Sequence, residues 1–333
     1  MKRFLFWGLL FMLLGCTTPK AQKINGLSFV AANEALIPEQ VVPVTQMNAN
    51  WVAIMPFGFM ENLAATEIIF DTDRQWFGET AAGAKQYIGL LKEKGIQVML
   101  KPQIWIWRGE FTGKLEMKSE ADWKKLEASY SKFILSYAQL AQSENLPLFC
   151  IGTELERFMK NRPDYWHGLV KEIRQIYKGK LTYAANWDEY KRCPLWDELD
   201  YIGIDAYFPL SEDRSPDLAS LKSAWEPRKK TIKQLSDIVG KPVLFTEFGY
   251  RSMDFTGAKP WLVDDTDTPV NLGAQARATQ ALLETFWPES WFAGGFVWKW
   301  FIDYKNVGGA QDNWFTPQNK PAEQTLREFY AKY

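Results

Sequence analysis

Eight short apolar, β-prone runs, each set apart from the next by charged or amphipathic sequence, constrain the fold of this chain more than any other feature. They are INGLSFV (24–30), ANWVAIMPF (49–57), IQVMLKPQI (96–104), PLFCIGTE (147–154), LTYAANW (181–187), YIGIDAY (201–207), PVLFTEF (242–248) and AGGFVWKWF (293–301). Between them, 80–95, 121–145, 164–179, 220–240 and 273–287 carry apolar residues at helical spacing, and the endings KG, KG and VG fit helices closed by glycine. Strand-like and helix-like segments in alternation read as βα units on a parallel sheet. Eight such units predict an α/β fold, a single-domain (β/α)₈ TIM barrel over residues 24–333. A doubly wound open sheet is the runner-up, but no Gly-rich phosphate loop follows the first run.

The segment before the first strand reads differently. MKRFLFWGLLFMLLGC has a basic start, an apolar stretch and a small residue before Cys16. The stretch is shorter than the roughly 20 residues that span a bilayer, and polar TTPKAQK follows at once. Its LLGC ending resembles a bacterial lipobox. Residues 1–15 are therefore expected to be a lipoprotein signal peptide, 16–23 a short tether, and Cys16 the site of lipidation and the route to the membrane. That places the chain in the bacterial cell envelope, on the periplasmic face or at the outer membrane. Plain secretion is the alternative. Cys150, inside an apolar run, and Cys193, in a loop, read as unpaired.

Charge and composition narrow the function. The net charge of −1 gives no electrostatic footprint for nucleic acid, and none is expected as a partner. The 16 Trp are the unusual count, because aromatic faces stack on sugar rings as well as filling cores. The chemistry is concentrated at two strand ends. LFCIGTELE stops its apolar run at Glu154, and VLFTEFGY does the same at Glu247. A buried strand gains nothing from an acid at its tip, whereas in a (β/α)₈ barrel the carboxyl ends of the strands form the active face. Glu156 competes with Glu154, but Glu154 is the residue that ends the run.

The ordered set MLKPQIWIW (99–107), IGTELE (151–156), YIGIDAYFPL (201–210), FTEFGYRS (245–252), GAKPW (257–261) and FVWKW (296–300) resembles glycoside hydrolase family 113, over essentially the whole chain after the leader. That family belongs to the clan of retaining (β/α)₈-barrel glycosidases, and its characterised members are β-mannanases. The resemblance implies Glu154 on strand four as acid/base, Glu247 on strand seven as nucleophile, and Tyr207 at the end of strand six bonding the nucleophile and keeping it ionised. It implies an endo-acting enzyme on β-mannan or glucomannan. A retaining mechanism sets two carboxyl groups on either side of the anomeric carbon, and the acid/base must be protonated first and ionised later. The clan usually carries Asn just before the acid/base; here Thr153 stands there, which fits a sugar with an axial 2-hydroxyl.

Further contacts to the glycan are expected from Trp298 as the floor under the −1 sugar and from Trp300 on the same face. Asn186 and Trp187 end strand five, and Lys101, Gln103, Trp105 and Trp107 alternate after strand three. Asp205 stands two residues before Tyr207, with a structural ion pair as its competing reading. Trp76 and Trp261 lie in loops that can border a cleft. The lone His167 sits in a helical stretch, so triad chemistry and a His-based metal site have no support, and no metal or organic cofactor is expected. DDTDT (264–268) lacks the Gly and distal Glu of a calcium loop and reads as solvated; EPRKKTIK reads as a helix face. The expected partner is a polysaccharide or oligosaccharide, met by a monomer. Another β-glycanase or an exo-β-mannosidase is a rival within the class, and a non-catalytic glycan-binding lipoprotein is a rival outside it.

Overall fold

The computed structural model describes residues 22–263 and 268–333. The expected leader, Cys16 and most of the tether lie outside the described residues, as does DDTDT except for Thr268. Eight parallel strands close into a barrel: β1 (Ile24–Phe29), β2 (Trp51–Ile54), β3 (Gln97–Leu100), β4 (Leu148–Thr153), β5 (Lys180–Asn186), β6 (Ile202–Asp205), β7 (Val243–Phe248) and β8 (Phe292–Trp300). Each coincides with one of the eight apolar runs, β5 and β8 starting one residue before theirs at Lys180 and Phe292. β1 pairs with both β2 and β8, which removes the sheet edge. A small outer sheet of Phe57–Met60, Ile69–Phe70 and Gln103–Ile106 extends the barrel beyond β2 and β3.

Around the barrel lie α1 (Pro38–Gln46), α2 (Ala81–Glu93), α3 (Glu120–Ser143), α4 (Glu156–Asn161), α5 (Pro163–Ile176), α6 (Leu218–Val239), α7 (Leu272–Phe286) and α8 (Pro321–Tyr330). The periodic stretches at 80–95, 121–145, 164–179, 220–240 and 273–287 become α2, α3, α5, α6 and α7. α1 and α4 are too short to show a clear period, and Pro43 lies inside α1. Between β5 and β6 the only helical turn is the 3₁₀ segment Trp196–Glu198, so the fifth unit connects through a loop. Gly240, with φ 70°, closes α6 in the left-handed region as expected, and Gly95, with φ 74°, follows α2. Gly179 does not cap α5, which stops at Ile176 with Tyr177 extended.

Side-chain alternation divides the apolar residues into two cores. Ile24, Ala53, Met99, Cys150, Leu244 and Phe296 fill the barrel interior, while Leu27, Val52, Leu100, Phe149, Phe245 and Val297 pack outward against the helices. Cys150 and Cys193 are free thiols, and both are buried. EPRKKTIK lies on α6 with Trp225 and Ile232 buried and most of its charged residues solvated.

Candidate active site

The interior layer turns polar at the carboxyl end of the strands. Next inward-facing after Met99 is Lys101, and β6 ends on Asp205; both side chains are fully buried. On β7, Phe245 pairs with Ile204 and Glu247 with Asp205, while on the other side Phe245 and Phe248 pair with Gly295 and Val297. β7 therefore carries an extra residue against both neighbours. Such a bulge bends a strand and re-aims its side chains. It lets Thr246 bond Asp205 Oδ1 at 2.7 Å while the adjacent Glu247 still reaches the barrel mouth.

Glu247 is held by three donors. Tyr207 donates its hydroxyl to Oε2 at 2.8 Å, Gln103 donates its amide to Oε1 at 3.0 Å, and the Lys101 ammonium bonds Oε1 as well. The same ammonium lies 3.6 Å from Asp205 Oδ2. Tyr207 thus makes the contact expected of it. Lys101 does not make its expected contact: with no exposed surface it cannot touch a sugar, and it can act only through Glu247 and Asp205. Asp205 is corrected likewise, since its carboxylate is enclosed and belongs to the ion-pair cluster. Burial and the neighbouring Glu247 push Asp205 up to about 7 against the pull of Lys101.

Glu154 stands at the end of β4, half-buried. Burial first, then the charges of Asp205 and Glu247, raise its carboxyl well above the ordinary carboxylate range. A carboxyl that binds its proton more tightly folded than unfolded takes up a proton on folding. This shift therefore makes the fold less stable as pH rises from the ordinary range through the raised value. For an acid that must deliver a proton, the alkaline limb of kcat/KM should fall correspondingly above the ordinary glutamate range. A pH–rate profile of the purified protein checks this, and a limb at the ordinary value would show that Glu154 is not the acid. Glu156 opens α4 instead and pairs with Arg192, on a separate cavity away from the mouth. His167 lies on α5 against Glu198.

Glu154 and Glu247 line the middle of one groove with Gln103, Thr153 and Trp298. The Thr153 hydroxyl is buried and has no hydrogen-bond partner among the described residues. One arm of the groove, about 600 Å³, runs past Asn186, Trp187 and Trp261, where the two indoles stack with centroids 5.0 Å apart. The other runs past Trp76 and Trp105, which are about half exposed, and is bordered by Phe57, Phe59 and Lys299. Trp298 lines both arms and the centre.

Two more of the expected sugar contacts are not in this groove. Trp300 is fully buried and packs on Tyr304 at 5.8 Å, because β8 gains a residue between Val297 and Trp300 and the alternation flips. The Trp298–Lys299 bond within that segment is cis. Trp107 is 68% exposed on a 3₁₀ turn and borders neither arm nor the centre of the groove. Six residues of the site carry no signal in the sequence: Phe111 and Lys114 on the Trp187 arm, Phe57, Phe59 and Lys299 on the other, and Thr246 behind Glu247. The outer strand Phe57–Met60 shares only Phe57 with the second apolar run and is too short to stand out as a strand of its own, and the loop residues carry no periodic signal.

A closed parallel barrel with two glutamates across an aromatic-lined groove at its carboxyl face has the architecture of a glycoside hydrolase. Residues 33–320 match Glycoside Hydrolase Family 113, and the chain belongs to that family. A family 113 β-1,4-mannanase solved as a complex is 22% identical, with 94% of this chain and 100% of that one covered and a TM-score of 0.81. The family 113 β-mannanase of Alicyclobacillus acidocaldarius, in complex with ManMIm, is 23% identical over 93% of this chain and 98% of its own, with a TM-score of 0.79. A β-glucuronidase of Faecalibacterium prausnitzii is 17% identical and is matched over 49% of its length, with 94% of this chain covered and a TM-score of 0.63. At these identities the likeness establishes the barrel. No curated protein matches the chain.

Proposed function

We propose that this glycoside hydrolase is a retaining endo-β-mannanase acting on β-1,4-linked mannan or glucomannan. The observation that carries the reading is the pairing of two unlike carboxyl groups across one groove. Glu247 accepts three hydrogen bonds suited to a fixed carboxylate, while Glu154 lies half-buried with its proton held tightly. In the first step Glu247 attacks the anomeric carbon, the glycosidic C–O bond breaks, and the Glu154 proton passes to the departing oxygen. In the second, Glu154 takes a proton from water, the water oxygen attacks the anomeric carbon, and Glu247 leaves as a carboxylate. No step needs a metal or organic cofactor.

The groove runs past the carboxyl pair on both sides, with indoles along each arm, and this supports cleavage within a chain. Family membership and the mannanase neighbours support mannose as the sugar. The leader motif supports attachment through Cys16 at the cell envelope. Among the described residues no helix is long and apolar enough to cross a membrane.

The test is to incubate the purified protein with mannan, glucomannan, xylan, mixed-linkage glucan and cellulose, size the products, and follow the anomer released by NMR. Mixed short manno-oligosaccharides released first as the β anomer are expected. Mannose alone would replace endo with exo action, an α product would exclude retention, and cleavage of another glycan alone would replace the substrate. Binding without cleavage would favour a glycan-binding protein.

A further inference from the structure

Glu154 has φ of 51°, in the left-handed region that a side-chain-bearing residue occupies only where its surroundings impose it. β4 reaches it through a bulge: Cys150 pairs with Thr182 and Thr153 with Ala184, one residue more on β4 than on β5. The turn is held from several sides. Glu154 N–H donates to Ala184 O at 2.8 Å, and Thr112 donates its hydroxyl to Glu154 O at 3.1 Å. The next amide, Leu155 N–H, donates to the Tyr183 hydroxyl oxygen at 2.6 Å. Tyr183, fully buried, donates its own hydroxyl to Glu189 Oε1 at 2.6 Å, and Glu189 Oε2 accepts from Asn186 N–H at 3.1 Å. Glu189 is only 2% exposed and forms no ion pair among the described residues. A buried carboxyl without a cation is costly, so its hydrogen bonds have to account for it.

We infer that Tyr183 and Glu189 are positioning residues for the acid/base: through Leu155 N–H they fix the left-handed turn that aims Glu154 at the departing glycosidic oxygen. The inference rests on the assignment of Glu154 proposed above. The hydroxyl both accepts and donates, so the chain Leu155–Tyr183–Glu189 has one direction and cannot be completed by Phe. The Tyr183 ring is anchored separately by Trp166 and Trp196, with centroids 6.1 and 6.3 Å away, so removing the hydroxyl spares the packing. What is lost is aim, and aim matters in proportion to how much the leaving group needs a proton.

The experiment compares kcat/KM on a manno-oligosaccharide, whose sugar leaving group needs protonation, with kcat/KM on a dinitrophenyl β-mannoside, whose leaving group does not. Glu154→Ala, Tyr183→Phe, Glu189→Gln and Tyr177→Phe are measured beside the parent. Tyr177 is the control, a buried tyrosine whose hydroxyl donates to Leu146 O at 2.7 Å, before β4 begins. Tyr183→Phe is expected to lose about 10- to 100-fold on the oligosaccharide, a good part of what general acid catalysis supplies, and to stay within about threefold on the aryl mannoside. Glu189→Gln, which keeps one acceptor oxygen, should show the same split more weakly, and it serves if Tyr183→Phe does not fold. Tyr177→Phe should show no split. An equal fall on both substrates, or no fall on either, for Tyr183→Phe and Glu189→Gln would overturn the positioning role. If Glu154→Ala itself shows no split, the assignment of Glu154 fails, and the inference fails with it.

Discussion

Replacing Glu247 by Ala is expected to remove glycan cleavage by on the order of 10⁴-fold or more while leaving the fold intact. The loss is large because the substitution removes the attacking carboxylate itself. The fold should survive because Lys101, which loses one partner, keeps Asp205 at 3.6 Å, so no buried charge is stranded. The variant also carries a positive test. The truncated side chain leaves room for azide beside the Tyr207 hydroxyl and the Gln103 amide, which bond Glu247 at 2.8 and 3.0 Å. With an aryl β-mannoside, azide should then attack from the face Glu247 used and yield an α-mannosyl azide. NMR of the product reads this directly. Retained cleavage, or a β-azide, would rule out Glu247 as the nucleophile.

The second large effect is on stability. Lys101→Met removes the ammonium that bonds Glu247 and lies 3.6 Å from Asp205, and about 3–5 kcal/mol of folding free energy should go with it. The loss should depend on pH. Asp205 has its proton affinity raised from the ordinary 3.8 to about 7, so it takes up a proton on folding, and its contribution falls as pH rises through that window. Without the ammonium opposing this shift, the gap between parent and variant should widen toward alkaline pH and narrow in acid. Urea denaturation at about pH 5 and about pH 8 measures it. Adding Asp205→Asn should recover much of the loss, since Asn still accepts from Thr246 and no longer needs a counter-charge. An equal deficit at both pH values, unrelieved by the second substitution, would mean that the ammonium is not compensating Asp205.

Lys101 also shows where sequence reading reached its limit. Its alternation with Gln103 at the end of the third apolar run was visible. Whether such a residue meets substrate or sits behind the residue that does depends on how deep the layer lies. Depth is a property of the closed barrel and of no single strand. Trp300 shows the same limit in another form. Spacing of two puts it on the face of Trp298 in a regular strand, but one extra residue in β8 reverses the alternation, and hydrogen-bond register against β1 decides where that residue goes.

The sequence by itself determined the eight strands, the barrel they close into and the two glutamates at strand ends, because apolar run, helical period and a terminal acid are all local patterns; Tyr207 followed from the resemblance to family 113. The tertiary structure decided which polar residues face the groove, how Glu247 and Glu154 are turned toward it by bulges in β7 and β4, and that Tyr183 and Glu189 stand behind Glu154. Those outcomes depend on pairing register and on desolvation by residues distant in the chain, and neither can be read from a residue's own neighbours.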